Sequence, residues 1–224
     1  CTGTFTITVN VTDITGACAG PSRDIVVTVG DVPPQPSVVS GPTPLCQNQG
    51  GLYCIDPIPS ATGFVWILNP NPGFTGQNTT CITVASFPNA GTYSIQVSAA
   101  NLCGLGATRN ASVTILPPAS TPIAETVTTT ICPSQQGAFS VVNIPNTTWQ
   151  WVVPNPSFTL IPDPTTTLVV QVLLAANTAP GVYQLRVTPT TNGCVGPPLL
   201  IPFRVDPPPP AQPASVTGPA VVCV

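Results

Sequence analysis

Three stretches of the chain share one alternation. Gly3-Thr-Phe-Thr-Ile-Thr-Val9, Gly91-Thr-Tyr-Ser-Ile-Gln-Val97 and Gly181-Val-Tyr-Gln-Leu-Arg-Val187 place an aromatic, an aliphatic and a valine at every second position after the glycine. Period two is the mark of a strand with one face in a core. Other landmarks recur at a matching distance. Proline clusters beginning at Pro33, Pro117 and Pro207 are 84 and 90 residues apart, and Cys46, Cys132 and Cys223 are 86 and 91 apart. Trp66 and Trp151 are 85 apart, while Cys18, Cys103 and Cys194 follow at 85 and 91. Five landmarks with one period mean an internal repeat.

The repeat divides the chain into the C-terminal part of a preceding unit (1–31), two whole units (32–116 and 117–206) and the N-terminal part of a following one (207–224). In the first whole unit the pattern predicts strands near 36–41, 50–56, 62–68, 79–85, 91–99 and 107–115, with a weak one around 74. About seven short strands in a unit of roughly 85–90 residues is the size of a β-sandwich, and about twice a propeller blade. The expected class is all-β: tandem immunoglobulin-like sandwiches joined by Pro-rich linkers.

Composition sharpens this picture. The 31 prolines, with abundant Thr and Val, disfavour long helices. The apolar run Leu168–Ala176 is broken by Gln171 and is far short of the ~20 residues of a membrane helix, so it reads as a buried strand. No signal peptide opens the sequence, which starts inside a strand-like run; the true N-terminus is expected upstream. Only 5% of residues are charged, with no Lys or His, and the net charge is −3. No basic stripe exists to hold nucleic acid or an anionic membrane.

The same scarcity bears on catalysis. General acid–base and nucleophilic chemistry draw on His, Lys or a tuned carboxylate. The acids Asp13, Asp24, Asp31, Asp56, Glu125, Asp163 and Asp206 are scattered, and no two keep one position in both whole units. Catalytic, metal and cofactor sites are all expected to be absent. Asp31 and Asp206 share a linker position, but Leu116 stands at the middle junction, and calcium needs several oxygen ligands at each. Sequons at Asn10, Asn78, Asn110 and Asn146 are about what chance supplies.

Trp66, Trp149 and Trp151 suggest either a sugar platform or core. Trp66 and Trp151 hold the same strand position, where a sandwich needs one large ring between its sheets. The core aromatic set is therefore Trp66, Trp151, Tyr93, Tyr183 and Phe5, with Trp149 packed near the rim. Sheet edges carry no Lys, which leaves two readings: a surface guarded by proline, or lateral association of chains into a fibre.

Gly41 to Cys46, the Trp-centred strands, the Gly-x-Tyr-x-Ile/Leu-x-Val strands and Asn101-Leu-Cys-Gly104 together resemble the PKD-like, immunoglobulin-like repeats of giant secreted and surface proteins of gliding gram-negative bacteria. That resemblance spans both whole units and implies an adhesin-type, multi-repeat parent. The acidic Trp-x-Phe-Gly-Asp-Gly turn of the typical PKD domain is replaced here by Asn-Pro-Asn-Pro and Pro-Asn-Pro-Ser.

Nine cysteines without His or any CxxC pair point to disulfides and an extracellular or cell-surface setting. Recurrence in register predicts Cys46–Cys103 and Cys132–Cys194. Cys18 and Cys223 would pair outside these residues, and Cys1 is unassigned. Cys54 and Cys81 belong to the first whole unit alone; Ser140 and Thr167 align with them in the second, and loss of both together predicts a bridge between them. The function expected is a structural and adhesive segment of a long surface filament, a disulfide-stapled semi-rigid spacer. The alternative is a carbohydrate- or protein-binding module using loops Pro70–Gln77 and Ile161–Thr167. Expected partners are neighbouring repeats of the same chain, other chains in a fibre, and surface glycans.

Overall fold

The computed structural model describes residues 3–162 and 167–210, and among them every regular element is a strand. The chain divides into two units, Cys1–Pro117 and Pro118–Val224.

In the first unit, β1 (Gly3–Val9) and β2 (Arg23–Val29) form a two-stranded antiparallel hairpin. It is exposed on both faces, so Phe5, expected in a core, is 49% exposed. The alternation that marks Phe5 as inward is present, but among the described residues no second sheet covers it. The rest of the unit is a sandwich built from β3 (Leu45–Cys46), β4 (Gly51–Cys54), β5 (Gly63–Asn69), β6 (Cys81–Val84), β7 (Gly91–Asn101), β8 (Gly104–Leu105) and β9 (Arg109–Leu116). One sheet runs β3-β9-β7-β5 with β8 folded back on β7, and the other pairs β4 with β6. Inward residues alternate as period two requires: Phe64, Trp66 and Leu68 on β5, and Tyr93, Ile95, Val97 and Ala99 on β7. They meet Tyr53, Ile82 and Val84 of the facing sheet around Phe87.

The second unit holds β10 (Ala124–Val127), β11 (Thr130–Ile131), β12 (Gln136–Val141), β13 (Thr147–Val152), β14 (Phe158–Ile161), β15 (Val169–Leu174), β16 (Gly181–Thr191), β17 (Cys194–Val195) and β18 (Leu199–Val205). Its larger sheet runs β11-β18-β16-β13 with β17 folded back on β16, the order of the first sandwich; the facing sheet runs β10-β12-β15-β14. Leu168–Ala176, read from sequence as a buried strand, contains β15, whose Val170, Val172 and Leu174 are buried.

The strand expected at 36–41 is reduced to a single bridge, Ser40 to Cys54, before the chain crosses to pair β3 parallel with β9. Prolines at 34, 36, 42 and 44 remove the donors a ladder needs. Residues 123–131 contain no proline, and there the same crossing is made by two strands, β10 on one sheet and β11 parallel on the other.

Ile95 is fully buried at the centre of the first core. Ile95→Ala is expected to cost about 2–5 kcal/mol. A correspondingly lower urea midpoint for the transition reported by Trp66 fluorescence checks this.

Candidate functional site

The residues that recur in sequence hold equivalent places in each sandwich. Trp66 and Trp151 are both 2% exposed, each inward on the strand beside the central one. Their indole Nε1–H groups donate to the Thr79 and Thr167 carbonyls, both at 2.9 Å, which satisfies the one polar atom a buried indole carries. Trp149 is buried too, at 3% exposure, deeper than a rim position. Tyr93 and Tyr183 bend their hydroxyls back to the carbonyls of Asn89 and Ala179, four residues upstream. That contact near the start of the central strand, β7 or β16, has the form of the tyrosine corner of immunoglobulin-like sandwiches.

Cys54 and Cys81 stand directly opposite each other on β4 and β6 and are disulfide-bonded, with Cα atoms 4.1 Å apart. Cys54 directs its own N–H and C=O to Ser40 on the other side. The pair therefore sits at a non-hydrogen-bonded site of the ladder, where opposed side chains are closest. In the second sandwich the residues opposed at this point are Ser140 and Val169. The alignment of Thr167 with Cys81 needs correction by two residues, because Thr167 is the indole acceptor and so corresponds to Thr79.

The bridges expected between Cys46 and Cys103 and between Cys132 and Cys194 are not formed. Cys103 and Cys132 are free thiols, whereas Cys46 and Cys194 are each disulfide-bonded. The reason is distance. Cys46 pairs with Leu116 beside the start of β7, whereas Cys103 lies in the turn beyond its end. Ten steps along this 11-residue strand cover ~33 Å. A disulfide tolerates no more than about 7 Å between Cα atoms. β16 separates Cys132 from Cys194 in the same way. Cys18 is an exposed free thiol, and Cys1 and Cys223 lie outside the described residues.

The chain enters each sandwich at the end where the central strand finishes. A Cβ on Gly106 would run into the carbonyl oxygen of Pro33, and one on Gly196 into that of Ala119, so only glycine lets the linker backbone lie there. From that end the entering segment runs beside the last strand. Prolines lack N–H groups, and side chains supply several of the ties: Gln35 Nε2 donates to the Thr108 carbonyl at 2.7 Å, and Arg109 Nε to the Pro36 carbonyl at 2.9 Å. The Thr43 hydroxyl accepts from the Thr114 amide at 3.1 Å, and the Gln47 amide donates to the Leu116 carbonyl at 2.9 Å. In the second sandwich the Arg204 and Asp206 amides donate to Thr129 and Ile131.

Asp13 and Asp206 are occupied locally. Asp13 closes its own loop, and the backbone N–H of Cys18 followed by the Thr15 hydroxyl hold its carboxyl below the ordinary value. Asp206 pairs with Arg204 at 2.7 Å. In the loop Pro70–Gln77, Gln77 spends its amide on the backbone of Trp66 at the free edge of β5. The second candidate loop, Ile161–Thr167, lies largely outside the described residues, as does Asp163. The four sequon asparagines are exposed. On the outer face of the second sandwich, Val152, Val182, Gln184, Arg186 and Leu200 line a shallow depression of about 470 Å³.

Residues 32–113 match the family model of the PKD-like domain. Among solved structures, the FN1-FN3 domains of chicken CNTN1 are 16% identical, covering 88% of this chain and 76% of that one, with a TM-score of 0.37. Murine CEACAM1b is 13% identical, covering 75% and 98%, at 0.35. The mouse coronavirus receptor-binding domain complexed with its murine receptor is 15% identical, covering 75% and 96%, also at 0.35. No curated protein matches the chain. The fold is all-β, with a PKD-like, immunoglobulin-like sandwich at 32–113.

Two expectations follow. Burial pushes the Tyr53 phenol from 10.0 up to about 12. Its hydroxyl donates to the Pro42 carbonyl at 3.0 Å. A raised folded-state value means that stability is fully present below pH 10 and falls as pH rises from there to about 12. Tyrosinate absorbance of the native chain minus that of Tyr53→Phe should titrate at about 12, and the variant's stability should decline less across that window. The Cys54–Cys81 bridge closes a separation of 27 residues. Its removal in Cys54→Ser/Cys81→Ser should cost roughly 3–4 kcal/mol in urea denaturation of the first sandwich.

Proposed function

We propose that the chain is a structural segment of an extracellular or cell-surface filament, a run of sandwich repeats that bears tension and sets distance. One observation carries this reading: in each sandwich the entering segment lies parallel to the last strand, so the chain enters at one end and leaves at the other. Tension applied through the termini then slides those two segments past each other. Their backbone and side-chain bonds are loaded together, not one after another from an end. The recurring residues are spent on cores, tyrosine corners and linker seats. Disulfide chemistry and a sparsely charged, Thr-rich surface suit an oxidising exterior.

A binding module is the second reading, favoured by the depression around Arg186 and Leu200. Its apolar rim of Val152 and Val182 and its polar Gln184 would suit a glycan or a peptide.

Stretching single chains by their termini separates the two. A tension-bearing segment should unfold in discrete steps. Reduction should lengthen the step of the first sandwich by about 10 nm, the 27-residue span at ~3.6 Å per residue. Continuous extension without steps would refute the spacer reading, and glycan-array binding lost in Arg186→Ala/Leu200→Ala would establish the alternative.

A further inference from the structure

Each sandwich carries one cysteine at either end, and these four positions form two equivalent sets. Cys46 and Cys132 directly follow or end the strand that lies parallel to the last one, where the chain leaves. Cys103 and Cys194 belong to the turn that folds the central strand back, where the chain enters. Within each set one member is disulfide-bonded and its counterpart is free: Cys46 is bonded and Cys132 free, Cys194 bonded and Cys103 free. Both kinds of position are thus competent to form a disulfide. The ~33 Å of central strand between them excludes a bridge inside one sandwich.

The local shapes at the two free thiols differ. Cys103 stands on a projecting turn beside Leu102, which is 102% exposed, and Gly30 of the entering chain lies close enough that a Cβ there would be 2.9 Å from Cys103 Sγ. Cys132 borders a recess of about 670 Å³ shared with Pro133, Gln135, Arg204, Asp206 and the departing prolines 207–210. One end presents a cysteine on a knob; the other presents a cysteine at a hollow.

We infer that Cys132 and Cys103 are coupling thiols between repeats: Cys132 bonds the turn cysteine of a further copy of this repeat seated in its recess, and Cys103 occupies the recess of another. This rests on the reading of the chain as part of a repeat array. Formation of each bridge joins two sulfurs as two S–H bonds break. The two protons go to solvent and the two electrons to a small-molecule or protein disulfide, which becomes two thiols. Each coupled junction would then carry two covalent links, the peptide linker and the bridge.

The test uses the full chain with a second copy of residues 117–206 inserted after Asp206, refolded in a glutathione redox buffer and then alkylated. The inserted copy's turn cysteine, equivalent to Cys194, is expected to appear in a peptide linked to Cys132, and alkylation of Cys132 is expected to be lost. Cys132→Ser should restore alkylation of the inserted turn cysteine. Alkylation of both, or linkage of Cys132 to any other cysteine, overturns the inference. A second measurement keeps it falsifiable should the lengthened chain fold poorly. Oxidation of the unmodified chain at high concentration should give a ladder of oligomers joined Cys103–Cys132, absent in Cys132→Ser, whereas a Cys103–Cys103 dimer alone overturns it. Neither result alters the discrete unfolding steps that the spacer reading requires, so the two fail separately.

Discussion

The length of one central strand governs the rest of each sandwich. β7 and β16 each run for 11 residues, pair on both sides, and fold back into a short hairpin strand. Their inward Tyr, aliphatic and small residues form the spine against which both sheets close. The same length separates the end where the chain enters from the end where it leaves. Linker seat, tyrosine corner and end cysteines all take their positions from it. A shorter strand would bring the two cysteines of one sandwich together, and a shift of register by one residue would turn Tyr93, Ile95 and Val97 to solvent.

With so few charges, the molecule manages its strand edges by other means. Prolines withdraw donors along the entering segment, and side-chain amides take up backbone groups that would otherwise template another strand. Gln77 does this at the edge of β5, where its amide both accepts from the Trp66 N–H and donates to the Trp66 carbonyl. Asn78 adds a backbone bond to Phe64 on the same edge. The β1–β2 hairpin lacks such cover, and its Phe5, Ile7 and Val27 are exposed although their alternation has the grammar of a buried face. That contrast shows that burial belongs to the assembled sandwich and not to the strand pattern by itself.

Much of the fold was legible because period-two patterning and core burial are the same physical fact. The strands at 62–68, 79–85, 91–99 and 107–115 all contain ladder strands, and Trp66, Trp151 and Tyr93 are inward as their recurrence implied. The 36–41 strand was not, because alternation says where side chains would point and nothing of the donors that prolines remove. Recurrence also misled on the end cysteines. Equal spacing in sequence shows that Cys46 corresponds to Cys132 and Cys103 to Cys194; it carries no information about which residues are near each other. Cys54 and Cys81 differ because their signal was a joint loss, and two residues lost together are constrained by one contact. The two-residue offset between Thr167 and Val169 became visible only once the indole hydrogen bonds supplied a fixed point.

Under the proposed tension-bearing role, the two kinds of disulfide position would divide mechanical work between them. Cys54–Cys81 joins β4 to β6, the facing sheet, and lies off the direct line between the entering segment and β9. It leaves the force needed to slide β3 along β9 to the hydrogen bonds there. What it limits is the length released once those bonds fail, since the 27 residues between the cysteines stay closed. A bridge at an end cysteine would act earlier in the sequence of events. Cys46 and Cys132 stand where the chain leaves each sandwich, at the last ladder pairs of the parallel strands, Cys46 with Leu116 and Ile131 with Val205. A covalent bond at that point would bypass the sliding contact for whatever load it carried. In a chain that bears tension as proposed, the parallel pairing would set the resistance of a sandwich, the inner bridge how far it extends after yielding, and a bridge at the end positions how much of the load reaches it.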